Sequence, residues 1–155
     1  LTINSPSGRY LNDKEVAEAV AGDLQKIGIN ARVKIIEWGT YMNMTYNRKA
    51  GPSYLLGWGG ATLDADGTFF PLLRTDQILS HYSNTALDNL IEQARSTMDK
   101  AKRLKLYSEA CRIVKEDVPF AFMYEQIDLY GVSARLNWAP RPDEKIFVYN
   151  MSFKK

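Results

Sequence analysis

The sequence predicts an α/β fold, a mixed sheet flanked by helices, and three observations carry that expectation. A helical apolar period over residues 12–27 gives way, after Gly28, to strict alternation over residues 29–35. Two further helix-period stretches, 86–97 and 99–116, occupy the second half. Short apolar runs at 53–57, 120–124, 129–132 and 146–150 supply strands around them. At 155 residues the chain suits one domain with one core, and 1–155 is read as a single domain.

Taken in order, Leu1-Thr2-Ile3 reads as the end of a strand and Asn4 to Gly8 as a loop. Asn12 or Asp13 caps the helix that follows, and Glu15 in its first turn suits the positive end of the dipole. Val16, Val20, Leu24 and Ile27 recur at 4-4-3 spacing with Ala17 and Ala21 beside them, giving one apolar face. If Leu24 is core, its truncation to alanine is expected to cost about 2–5 kcal/mol. Gly28 is placed to stop the helix in a left-handed conformation. Ile29, Ala31, Val33 and Ile35 then alternate with Asn30, Arg32 and Lys34, a strand with one buried face. Strand, helix and strand with short connections imply a right-handed parallel crossover.

Glu37-Trp38 leads into a helix over Thr40–Arg48, ended by Gly51-Pro52, and Ser53–Gly57 reads as a short buried strand. Residues 59–67 form a loop, and Phe69, Phe70, Leu72 and Leu73 a helical turn after it. Leu87, Leu90, Ile91 and Ala94 share one helix face. Asp99 caps a longer helix to Glu116, with Leu104, Tyr107, Cys111 and Val114 on one stripe, and Pro119 forbids its continuation. Phe120–Tyr124 and Leu129–Val132 read as strands, Asn137–Glu144 as a loop, and Ile146–Asn150 as the strand closing a sheet of about four to six strands.

Composition excludes several functions. A net charge of +2, with 20 basic residues spread along the chain, gives no nucleic-acid footprint. No apolar stretch approaches the roughly 18 residues of a membrane span. The chain starts at Leu1 with no charged-then-apolar leader, and so reads as an excised or processed piece. One cysteine excludes an internal disulfide and a zinc cluster; on its helix stripe Cys111 reads as a buried, inert thiol. His81 is the only histidine, which rules out a multi-histidine metal site, and with no nucleophile elbow in the chain it reads as an exposed loop residue. Asp64 and Asp66, in a glycine-flanked loop, read as turn formers and caps, and Arg141 between two prolines as a solvated side chain. No catalytic residue, metal ligand or cofactor is predicted, and the chain is not expected to be an enzyme.

Gly57-Trp58-Gly59-Gly60 lacks the spacings of phosphate-binding loops. It lies just past a predicted strand, where ligands of open α/β sheets bind. Glycines admit a ligand close to the backbone, and an indole offers a flat surface with one donor. On these residues alone a buried structural Trp58 remains open beside a ligand-facing one.

Taken together, Gly57-Trp58-Gly59-Gly60, then Tyr82-Ser83-Asn84 before Asp88 and Leu90, then Arg103, Leu106 and Tyr107 on a helix ending at Asp117-Val118-Pro119, resemble the C-terminal lobe of the peptide/nickel family of ABC-transporter solute-binding proteins. The resemblance runs from near Gly8 almost to Lys155. It implies one lobe of a bilobed fold of the periplasmic-binding-protein type II kind. It also implies solute capture for an ABC importer by closure around a peptide or related small solute. The implied partners are an N-terminal lobe outside this chain and a membrane permease, with the protein in the periplasm or lipid-anchored outside the cytoplasmic membrane. On that basis Trp58, Gly59, Gly60, Ala61, Thr62 and Asp64 are the candidate ligand-binding residues. Peptide-binding members usually carry an aspartate three residues after the tryptophan, pairing with the peptide's α-amino group; that position is Ala61 here, which argues against a free amine held at this point. Pro140-Arg141-Pro142-Asp143-Glu144 resembles the end of a subgroup whose Gly-Trp is followed by small residues. Tyr82, Asn84 and Asp88 are expected to order the turn into a helix, Arg103 and Tyr107 to brace helix against sheet, and Asp64 to be structural. The same lobe design also serves as the ligand-sensing domain of transcriptional regulators, and a small α/β hydrolase is the reading from another class.

Overall fold

A computed structural model describes residues 1–154. Three strands, β1 (Thr2–Pro6), β2 (Arg32–Ile36) and β3 (Ser53–Tyr54), form a parallel sheet in the order β2-β1-β3. Helix α1 (Asp13–Lys26) joins β1 to β2, and α2 (Trp38–Tyr46) joins β2 to β3. Helices α3 (Asp66–Leu73), α4 (Thr85–Ser96) and α5 (Lys100–Asp117) follow. Two-residue strands β4 (Leu136–Asn137) and β5 (Ser152–Phe153) pair antiparallel, with a 3-10 turn at Val148–Asn150 before β5. The α/β class expected from the sequence is the one observed.

The parallel crossover is present, with Thr2 to Pro6 in register against Arg32 to Ile36. The strand β1 runs on through Asn4-Ser5-Pro6, where a loop was expected. It is the central strand, bonded on both sides, so these residues are buried although their side chains do not look apolar. Gly28, at φ +85°, ends α1 as expected. The N–H of Gly28 reaches the Gln25 carbonyl and that of Ile29 the Leu24 carbonyl, both at 3.0 Å, the paired bonds of a Schellman motif. At the other end Asn12 is left-handed and caps nothing with its side chain. Asp13 instead folds back on the preceding loop, its carboxylate accepting the N–H groups of Gly8, Arg9, Tyr10 and Lys14 at 2.9–3.1 Å. Burial alone would raise its pKa, and these four donors outweigh burial and lower it.

Two apolar cores result. Ile3, Ala17, Ala21 and Ala31 pack under the sheet, with Val20, Leu24 and Val33 against them. Leu24 is therefore half-buried, Ile27 lies past the last turn in solvent, and Ile29 and Ile35 are exposed because α1 covers only the middle of the alternating face. The larger core joins Leu72, Leu73 and Leu79 to Leu87 and Ile91 of α4 and Ala110 and Val114 of α5. On α5 the buried stripe is Tyr107, Ala110 and Val114. Tyr107 and Val114 lie on it as expected, but Ala110 completes it in place of Leu104 and Cys111, so Leu104 is 70% exposed and Cys111 is an exposed free thiol rather than a buried one.

The strands expected at 120–124 and 129–132 are not ladder members, and 146–150 holds the 3-10 turn instead of a closing strand. Their side chains are apolar, but among the described residues no strand lies beside them to take their N–H and C=O groups. Phe122, Tyr124, Ile127, Leu129, Val148 and Tyr149 consequently stand in solvent.

Candidate ligand-binding crest

In a parallel sheet the three carboxyl ends face one edge, and here they end at Pro6, Ile36 and Tyr54. The segments leaving them meet on that edge. Tyr10, after β1, donates its hydroxyl to the Gly57 carbonyl at 3.2 Å. A Cβ on Gly57 would stand 2.8 Å from the Tyr10 ring, so only glycine permits this approach. Trp38, at the start of α2, meets Tyr10 edge-on and stacks on Tyr41, each at 6.0 Å between centroids. The Arg9 guanidinium lies 5.1 Å from both the Tyr10 and Trp38 rings. Glu37 caps α2, accepting from Gly39 at 2.8 Å and Thr40 at 2.9 Å; those donors hold its carboxyl below the usual range. Burial raises the Tyr10 phenol, so it stays a neutral donor.

The 58–64 segment crosses this edge. Trp58 is 42% exposed and donates its indole N–H to the Gly67 carbonyl at 2.8 Å, so it is not core and its donor is used within the protein. Gly59, Gly60, Ala61 and Thr62 are exposed, in two tight turns closed by Ala61 N–H to Gly59 at 3.0 Å and Leu63 N–H to Gly60 at 2.8 Å. Asp64 turns the other way. Its two oxygens take both terminal nitrogens of Arg103 at 2.6 Å, and one also accepts the Asp66 N–H at 2.8 Å. The Arg103 hydrogen bonds bring the Asp64 pKa down to about 2 and raise that of the guanidinium.

Arg103 spans further, donating to the Ala94 carbonyl at 3.1 Å and reaching the Tyr107 hydroxyl at 3.4 Å. Tyr107 in turn meets Asp66, which Arg95 approaches at 3.1 Å. The expected brace is real, but it ties α5 and α4 to the loop rather than to the sheet. The structural role expected for Asp64 holds as well. Of the six candidates, five lie together on the crest and Asp64 is turned inward as their anchor. Sequence reasoning missed Arg9, Tyr10 and Trp38; the signal was an aromatic or cation just beyond each of the first two strands.

Elsewhere Asn84 caps α4 through Ala86 at 2.9 Å and Leu87 at 3.1 Å, and Asp88 accepts the Thr75 N–H at 2.8 Å. Tyr82 and Asn84 both reach the Asp117 carboxylate; burial first, then that carboxylate, pushes the Tyr82 phenol up to about 12. His81 is exposed in its loop, as expected, its ring 5.2 Å from that of Tyr54. Arg141 does not stand free in solvent but grips Asp143 at 2.6 Å.

Comparison with known proteins agrees with this architecture. Residues 1–80 match the family described as "Bacterial extracellular solute-binding proteins, family 5 Middle". Over 112 residues the chain is 36% identical to di/tripeptide-binding protein 3 of Pseudomonas aeruginosa, covering 70% of this chain and 21% of that protein. Heme-binding protein A of Haemophilus influenzae is 27% identical over 129 residues, covering 81% of this chain and 23% of that one. The dipeptide-binding protein of Pseudoalteromonas sp. SM9913, solved with Met-Leu, superposes over 99% of this chain and 32% of its own, with a TM-score of 0.77 at 25% identity. The chain thus spans about a fifth of the length of the curated relatives it matches. A sheet, helix order and Gly-Trp crest read from the residues, and a family match over residues 1–80, lead to one assignment: the chain belongs to the bacterial extracellular solute-binding proteins of family 5.

Proposed function

We propose that this chain forms part of the C-terminal lobe of a solute receptor that captures a peptide or related small solute for an ABC importer. The observation that carries this reading is the exposed Trp58–Thr62 crest at the carboxyl edge of the sheet, in a chain whose relatives are binding proteins for dipeptides and heme. Residues 58–62 make one wall of the cleft, with Asp64 anchoring them from behind. An N-terminal lobe makes the other wall, and closure expels water between them. The indole face of Trp58 and the backbone at Gly59 and Gly60 supply contact area, while the Arg103–Asp64 bond fixes the wall before the ligand arrives, so little ordering is left for binding. The receptor works in the periplasm, or lipid-anchored outside the cytoplasmic membrane, and hands its solute to a membrane permease. No helix among the described residues is long and apolar enough to cross a membrane.

Trp58→Ala in the intact receptor tests the wall. Solute affinity is expected to fall about 10-fold or more, the loss of one aromatic anchor. The Tm of the ligand-free protein is expected to stay within about 4 °C, because only one indole hydrogen bond and part of a ring are lost. A collapse in Tm with unchanged affinity would make Trp58 a structural residue and remove the crest from the site.

A further inference from the structure

Within Gly57-Trp58-Gly59-Gly60 only the first glycine is required by its neighbours. Its backbone is not left-handed, so a side chain would meet no conformational penalty there. A Cβ would nevertheless stand 2.8, 3.0 and 3.2 Å from three carbons of the Tyr10 ring, and those are the three atoms nearest to it. Among the described residues a Cβ on Gly60 meets nothing within 4 Å, and on Gly59 its nearest atom is 3.6 Å away. The missing side chain at Gly57 is therefore explained by Tyr10 alone.

Tyr10 is itself fixed before it reaches Gly57. Its N–H donates to the Asp13 carboxylate at 3.1 Å, and its ring meets Trp38 edge-on. Trp38 stacks on Tyr41, a fully buried residue whose hydroxyl donates to the Leu55 carbonyl. The Leu55 N–H in turn donates to the Asn4 carbonyl of the central strand at 2.9 Å. Residues 55 and 57 are thus pinned by two tyrosines joined through Trp38. Trp58 comes next, its indole N–H on the Gly67 carbonyl at 2.8 Å. The direction of the indole is then set at one end by Gly57 and at the other by Gly67.

We infer that Tyr10 is a positioning residue for the ligand wall, seating Gly57 and through it fixing how Trp58 presents its indole. This rests on the reading of residues 58–62 as that wall. The hydroxyl holds the Gly57 carbonyl and the ring excludes a Cβ, so two separable features of one side chain act on one residue. The exits of all three strands are coupled as a result, since Tyr10 follows β1, Trp38 follows β2 and Gly57 follows β3.

Fluorine NMR of the ligand-free intact receptor, labelled with 5-fluorotryptophan, tests the positioning; the Trp58 resonance is the one absent from Trp58→Phe. Tyr10→Phe keeps the ring and loses the bond to Gly57. It is expected to move the Trp58 resonance while Tm stays within about 4 °C of wild type. Gly57→Ala is expected to move the resonance further. In a Tyr10→Ala background, where the ring is gone, adding Gly57→Ala is expected to leave the resonance where Tyr10→Ala alone puts it. If Tyr10→Phe and Gly57→Ala lower Tm but leave the resonance in place, Tyr10 only stabilises the lobe and the assignment falls. If Gly57→Ala moves the resonance equally in both backgrounds, Tyr10 is not what seats Gly57, and the assignment falls again. Binding of a mixed di- and tripeptide library, read by native mass spectrometry, decides separately whether Trp58 serves a wall. Retention is expected to weaken about 3- to 10-fold in Tyr10→Phe, the loss of one hydrogen bond, and more in Gly57→Ala and Trp58→Ala. Equal retention by all four proteins, or none by the wild type, would overturn the wall reading and the role that rests on it.

Discussion

Arg103 shows how one side chain organises a loop, Trp58 to Leu63, that holds no charge of its own. Its fork satisfies Asp64, the Ala94 carbonyl and Tyr107 together, so the loop behind the crest is tied to two helices at once. Because the folded Asp64 pKa is depressed to about 2, its stabilisation is complete above the ordinary carboxylate value near 4 and is lost as pH falls toward 2. Asp64→Asn is expected to flatten the fall of Tm between about pH 4 and pH 2, and to cost about 1 kcal/mol at neutral pH, since the pair is partly exposed. Thermal melts of both proteins across that range check the sign: an unchanged acid limb would mean the bond contributes nothing. Gly57 and Gly67 make a contrasting pair. A Cβ on Gly67 meets the Thr62 hydroxyl at 2.7 Å, the end of an exposed side chain that can turn away. A Cβ on Gly57 meets a ring fixed against Trp38, so Gly57→Ala is expected to cost about 1–3 kcal/mol in chemical denaturation and Gly67→Ala under about 1.

Among the elements, the helices were legible and several strands were not. The 3.6-residue period at Leu87, Leu90, Ile91 and Ala94 named the face of α4 that is buried, because α4 lies between α3 and α5 and that stripe is covered. On α5 the same reading chose Tyr107 and Val114, which are buried, but also Leu104 and Cys111, which are not, since a sequence shows which positions share a stripe but not where along its width a neighbour meets it. Runs such as Phe120–Tyr124 have strand composition, yet a strand exists only where another backbone takes its hydrogen bonds. The two cores rank their members differently. Leu87→Ala, at a fully buried site, is expected to cost about 2–5 kcal/mol, whereas half-buried Leu24→Ala should cost about 1–2 kcal/mol. Equal losses in urea titrations would mean that α1 is as deeply packed as α4. Asn84→Ala removes a cap and a bond to Asp117 and belongs with the smaller changes, at about 1 kcal/mol.

For the molecule as a whole, several apolar residues between Phe120 and Phe153 are left in solvent, and the chain matches about a fifth of the length of its relatives, so an intact receptor of their size has further surface to cover them. On the receptor reading, the isolated chain offers one wall of the cleft. It is expected to bind the solute at least about 100-fold more weakly than the intact receptor and to bind a hydrophobic dye more strongly, since both cleft closure and the covering surface are absent. Equal affinities in calorimetry would sink the two-lobe account.

By itself the sequence determined what is local. It set the α1–β2 crossover, the Schellman stop at Gly28, the buried face of α4, and the Gly-Trp segment with its family likeness, because periodicity, glycine geometry and short motifs act within a few residues of each other. Tertiary structure decided what depends on separated segments meeting. Asp64 became an anchor when Arg103 arrived from α5. Asn4 to Pro6 became a buried central strand when β2 and β3 closed on either side, and Glu144 came to stand beside Gly59. Each is a pairing of groups far apart in the chain, and what a residue does there is set by the neighbour that the fold brings to it.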